Sequence, residues 1–314
     1  MESAERTRKP ARRSSEAGPP LAGAAALVLD RAKAYAGLLM IGHSLFSLPF
    51  ALSALLYATG GRPGWRLLVL VVLAFLGARN AANALNRVID ARIDAENPRT
   101  AGRHIPSGRV SKTEALAVAG ACFLLLCAAA FLIDPKLLLL VPIPAALMIA
   151  YSFLKRFTPL CHLVLGVTSG AAAAGGWIAA RGRLDLYGLL LAAANGSWVM
   201  GFDMIYQRID AEWDRSRGLH SVPADLGVQE AGVLAIASHL WALLFLAAFA
   251  FAFGASILYW IGLALLAALM GLEHLVAAKP SRERTIFSSY AMNQIIGPAF
   301  LAVACADIYL GRLL

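Results

Sequence analysis

Five aspartates carry the chemistry that this sequence offers. Asn86, Asp90 and Asp94 stand at i, i+4 and i+8, and Asp203, Asp210 and Asp214 at i, i+7 and i+11. At about 100° per residue, the first set covers roughly 80° of a helix and the second roughly 40°. Each cluster follows a long apolar run. One Asp facing lipid at a helix centre costs roughly 2.5–3.5 kcal/mol, so five of them must face a polar cavity or lie at the water boundary. Carboxylates brought face to face repel unless a cation sits between them. Arginine is one candidate and Mg²⁺ another. Mg²⁺ commonly takes one or two carboxylates and completes its shell with water and phosphate oxygens. Two Asp stripes on neighbouring helices would thus cradle a diphosphate with bridging Mg²⁺, Asn86 adding a neutral oxygen ligand or orienting a water. Arg103, Lys155 and Arg156 are the bases near these motifs that would neutralise a leaving diphosphate. The plainer alternative is a set of boundary charges paired Asp to Arg. It suits a lone loop Asp better than two stripes at helical spacing. Arg87, Arg92 and Arg208 are assigned that plainer role, facing headgroups.

The elements that must position these acids are membrane helices. The chain has 314 residues, 59% of them hydrophobic and only 15% charged, too little charge for a soluble protein of this size. Several apolar stretches reach about 20 residues, the length that crosses a ~30 Å hydrocarbon core. We place nine spans, at about 34–57, 67–90, 113–133, 137–154, 160–180, 186–207, 229–252, 256–277 and 287–309. Punctuation separates them: Gly60-Gly61-Arg62-Pro63-Gly64, Asn97-Pro98, Asp134-Pro135, Thr158-Pro159, Lys279-Pro280, and a very short turn near Gly254. Residues 1–33 read as a basic cytosolic tail with a short interfacial helix at its end, and 34–314 as one transmembrane domain. With the N-terminus inside, 22 of the 28 Lys and Arg fall on the cytosolic side and 6 on the other, which supports an odd number of spans with the C-terminus out. Both acidic motifs then face the cytosol, after spans two and six. The chain reads as two four-helix halves in one orientation plus a ninth helix.

Other features divide between packing and function. The net charge of +9 reflects basic loops beside a membrane and not nucleic-acid binding. No Gly-rich loop precedes a Lys-Ser/Thr pair, so nucleotide binding has no support. Cys122, Cys127, Cys161 and Cys305 have no metal or redox spacing and read as inert thiols. The Gly and Ala run over 170–176 reads as close helix packing, and Asn293 and Gln294 as interhelical hydrogen-bond partners. His43 in span one and Asn195 in span six are expected to face the cavity or another helix. Glu273-His274 is expected to be a structural charge near a span end.

Taken together, the motifs resemble those of the UbiA superfamily of intramembrane prenyltransferases. The family's first motif is NDxxDxxxD and its second DxxxD, often extended as DxxYxxxDxxxD. Here they run from Asn86 through Asp90 to Asp94, and from Asp203 through Tyr206 and Asp210 to Asp214. The likeness continues through Asn97-Pro98-Arg99-Thr100-Ala101-Gly102-Arg103, Ile105-Pro106-Ser107-Gly108, and Tyr151 to Thr158. It covers essentially everything after the tail. One departure is Arg87, where the family places Asp; it removes one metal ligand. The NRxxD form, the NPRT run and Gly218 to Pro223 look like the branch that acts in quinone synthesis on 4-hydroxybenzoate. Some similar enzymes act on 1,4-dihydroxy-6-naphthoate in a menaquinone route.

The resemblance implies an all-α bundle of nine transmembrane helices with a cytosol-facing polar cap and a lateral opening for an isoprenoid tail. It implies transfer of a polyprenyl group from a polyprenyl diphosphate to a small aromatic phenolic acid, in a bacterial inner membrane. Mg²⁺ held by Asn86, Asp90, Asp94, Asp203, Asp210 and Asp214 would draw electron density from the diphosphate. Asp90, Asp94, Asp210, Asp214, Arg103, Lys155 and Tyr206 are the expected catalytic residues. Arg103 and Lys155 would touch phosphate or the acceptor carboxylate, and Tyr206 would shield a cation or hydrogen-bond an Asp. A secondary transporter is the competing class; its sites lie near the midplane at broken helices, whereas these acids crowd one membrane face. Haem, a chlorophyll-type ring or a glycerol ether lipid are acceptors that would keep the fold and change the product.

Overall fold

A computed structural model describes residues 44–279 and 281–311, together with Arg31, Tyr35, Gly37 and Leu38. The expected tail and interfacial helix over 1–33, Arg31 apart, and the cavity position expected of His43 lie outside the described residues. Among the described residues there is no strand. The long helices are α1 (Ser44–Ala58), α2 (Trp65–Ile89), α3 (Lys112–Ile133), α4 (Pro142–Leu154), α5 (Cys161–Arg181), α6 (Leu186–Gln207), α7 (Val228–Phe253), α8 (Ile257–Ala277) and α9 (Asn293–Tyr309). Eight helical segments are long and apolar enough to cross a membrane, and Phe46–Ala58 within α1 is a shorter apolar helix. The chain is an integral, multi-pass membrane protein, and the expected spans after the first coincide with helical segments to within a few residues; the expected start of the first, near residue 34, falls largely outside the described residues.

Local chemistry sets the boundaries. Ser111 and Glu114 form a reciprocal capping box at the start of α3. Gly254 closes α7 in the left-handed region at φ 75°, which lets α8 begin after a turn of only three residues. The ninth span is not one helix: a short helix, Arg282–Ile286, leads into a π turn, Phe287–Met292, before α9.

The main core lies among α1 and α5 to α9. Phe50 stacks on Trp198 and Phe300 with ring centroids 5.3 and 4.4 Å apart. The small residues of α5 make the approach possible, as expected: a Cβ on Gly170 would meet the Ala192 carbonyl oxygen of α6, and one on Gly176 the Ala51 carbonyl oxygen of α1. Asn195 donates to the Ser169 carbonyl across the same α5–α6 seam at 2.7 Å. Each acid-bearing helix packs along the helix that follows it, α2 on α3 and α6 on α7. The four cysteines are free, and Cys161 is buried.

Candidate active site

Both acidic motifs interrupt their helices at the same point. Helix α2 ends at Ile89, Asp90 adopts φ −89°, ψ 2°, and a short helix, Ala91–Glu96, carries Asp94. Helix α6 ends at Gln207, a 3₁₀ turn covers Arg208–Asp210, Asp210 adopts φ −101°, ψ 0°, and a short helix, Ala211–Ser216, carries Asp214. Corresponding aspartates thus share the sparsely populated bridge conformation. The stripes expected on continuous helices are therefore bent ones. The kinks keep all five aspartates on the wall of one cavity.

Arginine answers most of the carboxylates. Asp90 accepts from Arg156 at 2.9 Å, from the Asn86 amide at 3.0 Å, and has the Lys155 ammonium 3.8 Å away. Asp94 is bonded by Arg103 at 2.6 Å and Arg87 at 3.3 Å. Asp210 receives a two-pronged fork from Arg99, Nε to Oδ1 at 2.7 Å and Nη2 to Oδ2, with Asn97 at 3.4 Å. Burial alone would lower the Arg99 pKa, but the Asp210 carboxylate reverses this and raises it. Arg99 also donates to the Tyr206 hydroxyl at 3.1 Å, so Tyr206 acts on the second motif through Arg99. Asp203 is bonded by His162 Nδ1 at 2.7 Å, while His162 Nε2 faces the Val222 backbone N–H at 3.2 Å. That N–H fixes the tautomer, with the proton on Nδ1. Asp214 is buried, and among the described residues no side chain hydrogen-bonds or ion-pairs with it.

The expected metal-holding and catalytic residues all line this cavity: Asn86, Asp90, Asp94, Arg103, Lys155, Asp203, Tyr206, Asp210 and Asp214. Arg156, expected beside a leaving diphosphate, is not in its lining and reaches it only through Asp90. One reading needs correction. Arg87 does not face headgroups; it is largely buried and paired with Asp94, since the cavity wall offers it a carboxylate and the bilayer surface none. Glu273, expected as a structural charge near a span end, is fully buried and accepts from Asn293. Arg92 is exposed, as expected, and pairs with Glu96. Arg208 is partly buried and donates to the Ala277 carbonyl at 3.2 Å. Sequence reasoning did not single out His162 or assign a role to Arg99. Arg99 stands in the NPRT run, and a histidine in the first turn of an apolar helix was the available signal for His162.

Deeper along α2, Arg79 lines the same cavity, two turns before Asn86. Its Nε has no hydrogen-bond partner, and no carboxylate lies within ion-pair distance of it among the described residues. Tyr151, Ser152, Thr168 and Ser169 add further hydroxyls to the cavity lining, and Phe46, Phe202 and Tyr290 an aromatic wall.

Among the described residues, no three His, Cys, Asp or Glu side chains converge to hold a metal ion. The donor set nonetheless fits Mg²⁺. Its carboxylates stand on two short helices across one cavity, and Mg²⁺ needs only one or two from the protein when phosphate oxygens supply the rest.

A model of the UbiA prenyltransferase family matches residues 47–295. A 4-hydroxybenzoate octaprenyltransferase of Photobacterium profundum is 32% identical over 198 residues, 62% of this chain and 69% of that protein. The apo structure of a UbiA homologue from Aeropyrum pernix K1 superposes with a TM-score of 0.76 at 34% identity, over 84% of this chain and 98% of that one. A UbiA homologue from Archaeoglobus fulgidus bound to GPP and Mg²⁺ shares the fold, with a TM-score of 0.65 at 18% identity over 88% and 99%.

Proposed function

The chain belongs to the UbiA prenyltransferase family, and from that premise we propose that it transfers a polyprenyl group from a polyprenyl diphosphate to 4-hydroxybenzoate, with Mg²⁺. The observation that carries this reading is one cavity whose wall brings together two acidic kinks, an arginine without a carboxylate in ion-pair distance and a set of aromatic rings. The charged residues suit a diphosphate. The apolar wall suits the first isoprene units. Arg79 suits the carboxylate of a phenolic acid, because a buried guanidinium without an anion is costly until a ligand supplies one. The Lys and Arg bias of the loops supports an active site on the cytosolic face of a bacterial inner membrane.

In this reading Asp90, Asp94, Asp210 and Asp214, with Asn86 and Asp203 beside them, would hold Mg²⁺ with the diphosphate, and the metal would supply electron withdrawal from the leaving group. The protein's own bases do the rest of the electrostatic work. Arg99, Arg103 and Lys155 each touch a carboxylate now and would turn to phosphate oxygens once those carboxylates are engaged. The C1–O bond breaks with its electron pair going to the diphosphate, a ring carbon of the phenol bonds to the allylic C1, and the ring loses a proton. The cavity walls keep water from the cation.

The test incubates purified protein with Mg²⁺, labelled polyprenyl diphosphate and either 4-hydroxybenzoate or 1,4-dihydroxy-6-naphthoate. Prenylated 4-hydroxybenzoate is the expected product. Transfer to the naphthoate alone would move the chain to the other quinone route, and no diphosphate release with any phenolic acceptor would sink the reading. Arg79→Gln is expected to raise the KM for the acceptor roughly tenfold while leaving that for the diphosphate near normal, the pattern of a lost ground-state contact.

A further inference from the structure

Away from the acids, three buried polar side chains from three helices form a second network. Glu273 of α8 is 0% exposed and accepts from the Asn293 Nδ2 of α9 at 2.8 Å. Asn293, also 0% exposed, accepts from Trp198 Nε1 of α6 at 2.7 Å. The same Nδ2 reaches the backbone carbonyls of Ser288 and Ser289, at 3.1 and 3.3 Å. Those carbonyls belong to the π turn Phe287–Met292. A π turn displaces carbonyls from the regular i to i−4 ladder, and such turns in long helices frequently mark functional sites. Here one side-chain amide binds two of them.

The orientation of Asn293 is fixed from both ends. Trp198 Nε1 can only donate, so it demands the amide oxygen. Glu273 and the two carbonyls accept from the amide nitrogen. What this amide holds is the aromatic wall of the cavity. The π turn carries Ser289 and Tyr290 to the cavity lining. Trp198 meets Phe202, another lining residue, at 5.4 Å between centroids. Phe46 closes the set, edge-on to Tyr290 at 5.7 Å and 5.1 Å from Phe202.

We propose that Glu273 and Asn293 are positioning residues that hold the π turn so that Tyr290, with Phe202 and Phe46, closes the cavity around the reacting allylic carbon. The inference rests on the prenyl-transfer reading. An allylic cation held among aromatic rings is stabilised by any ring face it meets and is denied water. If the turn relaxes to a regular helix, every residue before Asn293 rotates and Tyr290 leaves the wall. Water then competes with the phenol: its oxygen bonds to C1, the C1–O bond to diphosphate breaks, and the water's proton goes to solvent, giving prenyl alcohol.

The test reads partition and not rate alone. Full-length wild type, Glu273→Leu and Glu273→Gln are incubated with Mg²⁺, labelled geranyl diphosphate and whichever of the two phenolic acceptors the wild type uses. Prenyl alcohol and prenylated acceptor are counted separately. Glu273→Leu is expected to raise the ratio of alcohol to transfer product roughly tenfold. Glu273→Gln keeps the acceptor oxygen toward Asn293 and is expected to stay within roughly twofold of wild type. A variant that merely loses folded protein lowers both products together and leaves the ratio unchanged; that result overturns the proposal. If Glu273→Leu does not accumulate as folded protein, Tyr290→Ala, which spares the network, decides by the same ratio. A wild type that makes neither product sinks the prenyl-transfer reading and this inference with it, whereas an active wild type with invariant ratios sinks this inference only.

Discussion

The two acidic motifs share a backbone and differ in how their charge is answered. Asp90 and Asp94 each face two cations, Arg156 with Lys155 and Arg103 with Arg87. In the second motif Asp210 is held by the Arg99 fork, Asp203 by His162, and Asp214 by no side chain among the described residues. The first motif is therefore a neutralised surface that a metal would have to compete for. The second keeps a carboxylate whose charge is not yet spent. Arg87 sharpens the contrast. Where the family places an acid, this chain places a base that binds Asp94, so one position both removes a ligand and occupies a neighbour.

That contrast can be broken by experiment. The largest expected effect is from Asp210→Asn or Asp90→Asn, each lowering kcat roughly 10²–10³-fold, as loss of one electrostatic element at a developing charge does; either variant turning over near normally at limiting Mg²⁺ would remove the metal cradle. Chelation of divalent metal should likewise abolish transfer, and added Mg²⁺ should restore it. Next in size, Asp214→Asn is expected to raise the Mg²⁺ concentration for half-maximal rate roughly tenfold, and Asp94→Asn by clearly less; equal shifts would mean that the unanswered charge is not the stronger ligand. Arg87→Ala frees Asp94 and should narrow that gap, lowering the metal requirement of the first motif. Smallest is Arg92→Gln, which breaks only an exposed pair with Glu96 and should change kcat less than roughly twofold.

Much of the architecture was legible because it is written in composition and short spacing. Runs of apolar residues give the spans, Gly254 gives the short turn, and the Gly and Ala run of α5 gives the close packing. The acids could be placed in one cavity since five of them have no other affordable location. What could not be read is which cation each acid would take. Arg99 and Asp210 lie 111 residues apart, and His162 and Asp203 lie 41 apart; such partners are chosen by the packing of helices and not by spacing. The π turn was hidden for a related reason. Its sequence, Phe-Ser-Ser-Tyr-Ala-Met, is unremarkable as helix, and the amide that holds it belongs to the next turn while its anchor, Glu273, belongs to another helix. The full burial of Glu273 was not readable either, because its place near a span end said nothing of how far into the bundle that side of α8 is covered.

The Arg99 fork has a consequence for how the chain comes to be made. Asp94 finds Arg103 nine residues further on and Asp90 finds Arg156 within 66, so the first half can settle its own charges while the second is still being synthesised. Arg99 cannot. It must wait, cationic and unclaimed, until translation delivers Asp210. A charge of the first half is thus matched only when the second half arrives, and a nascent chain halted before α6 carries an arginine whose carboxylate has not yet been made.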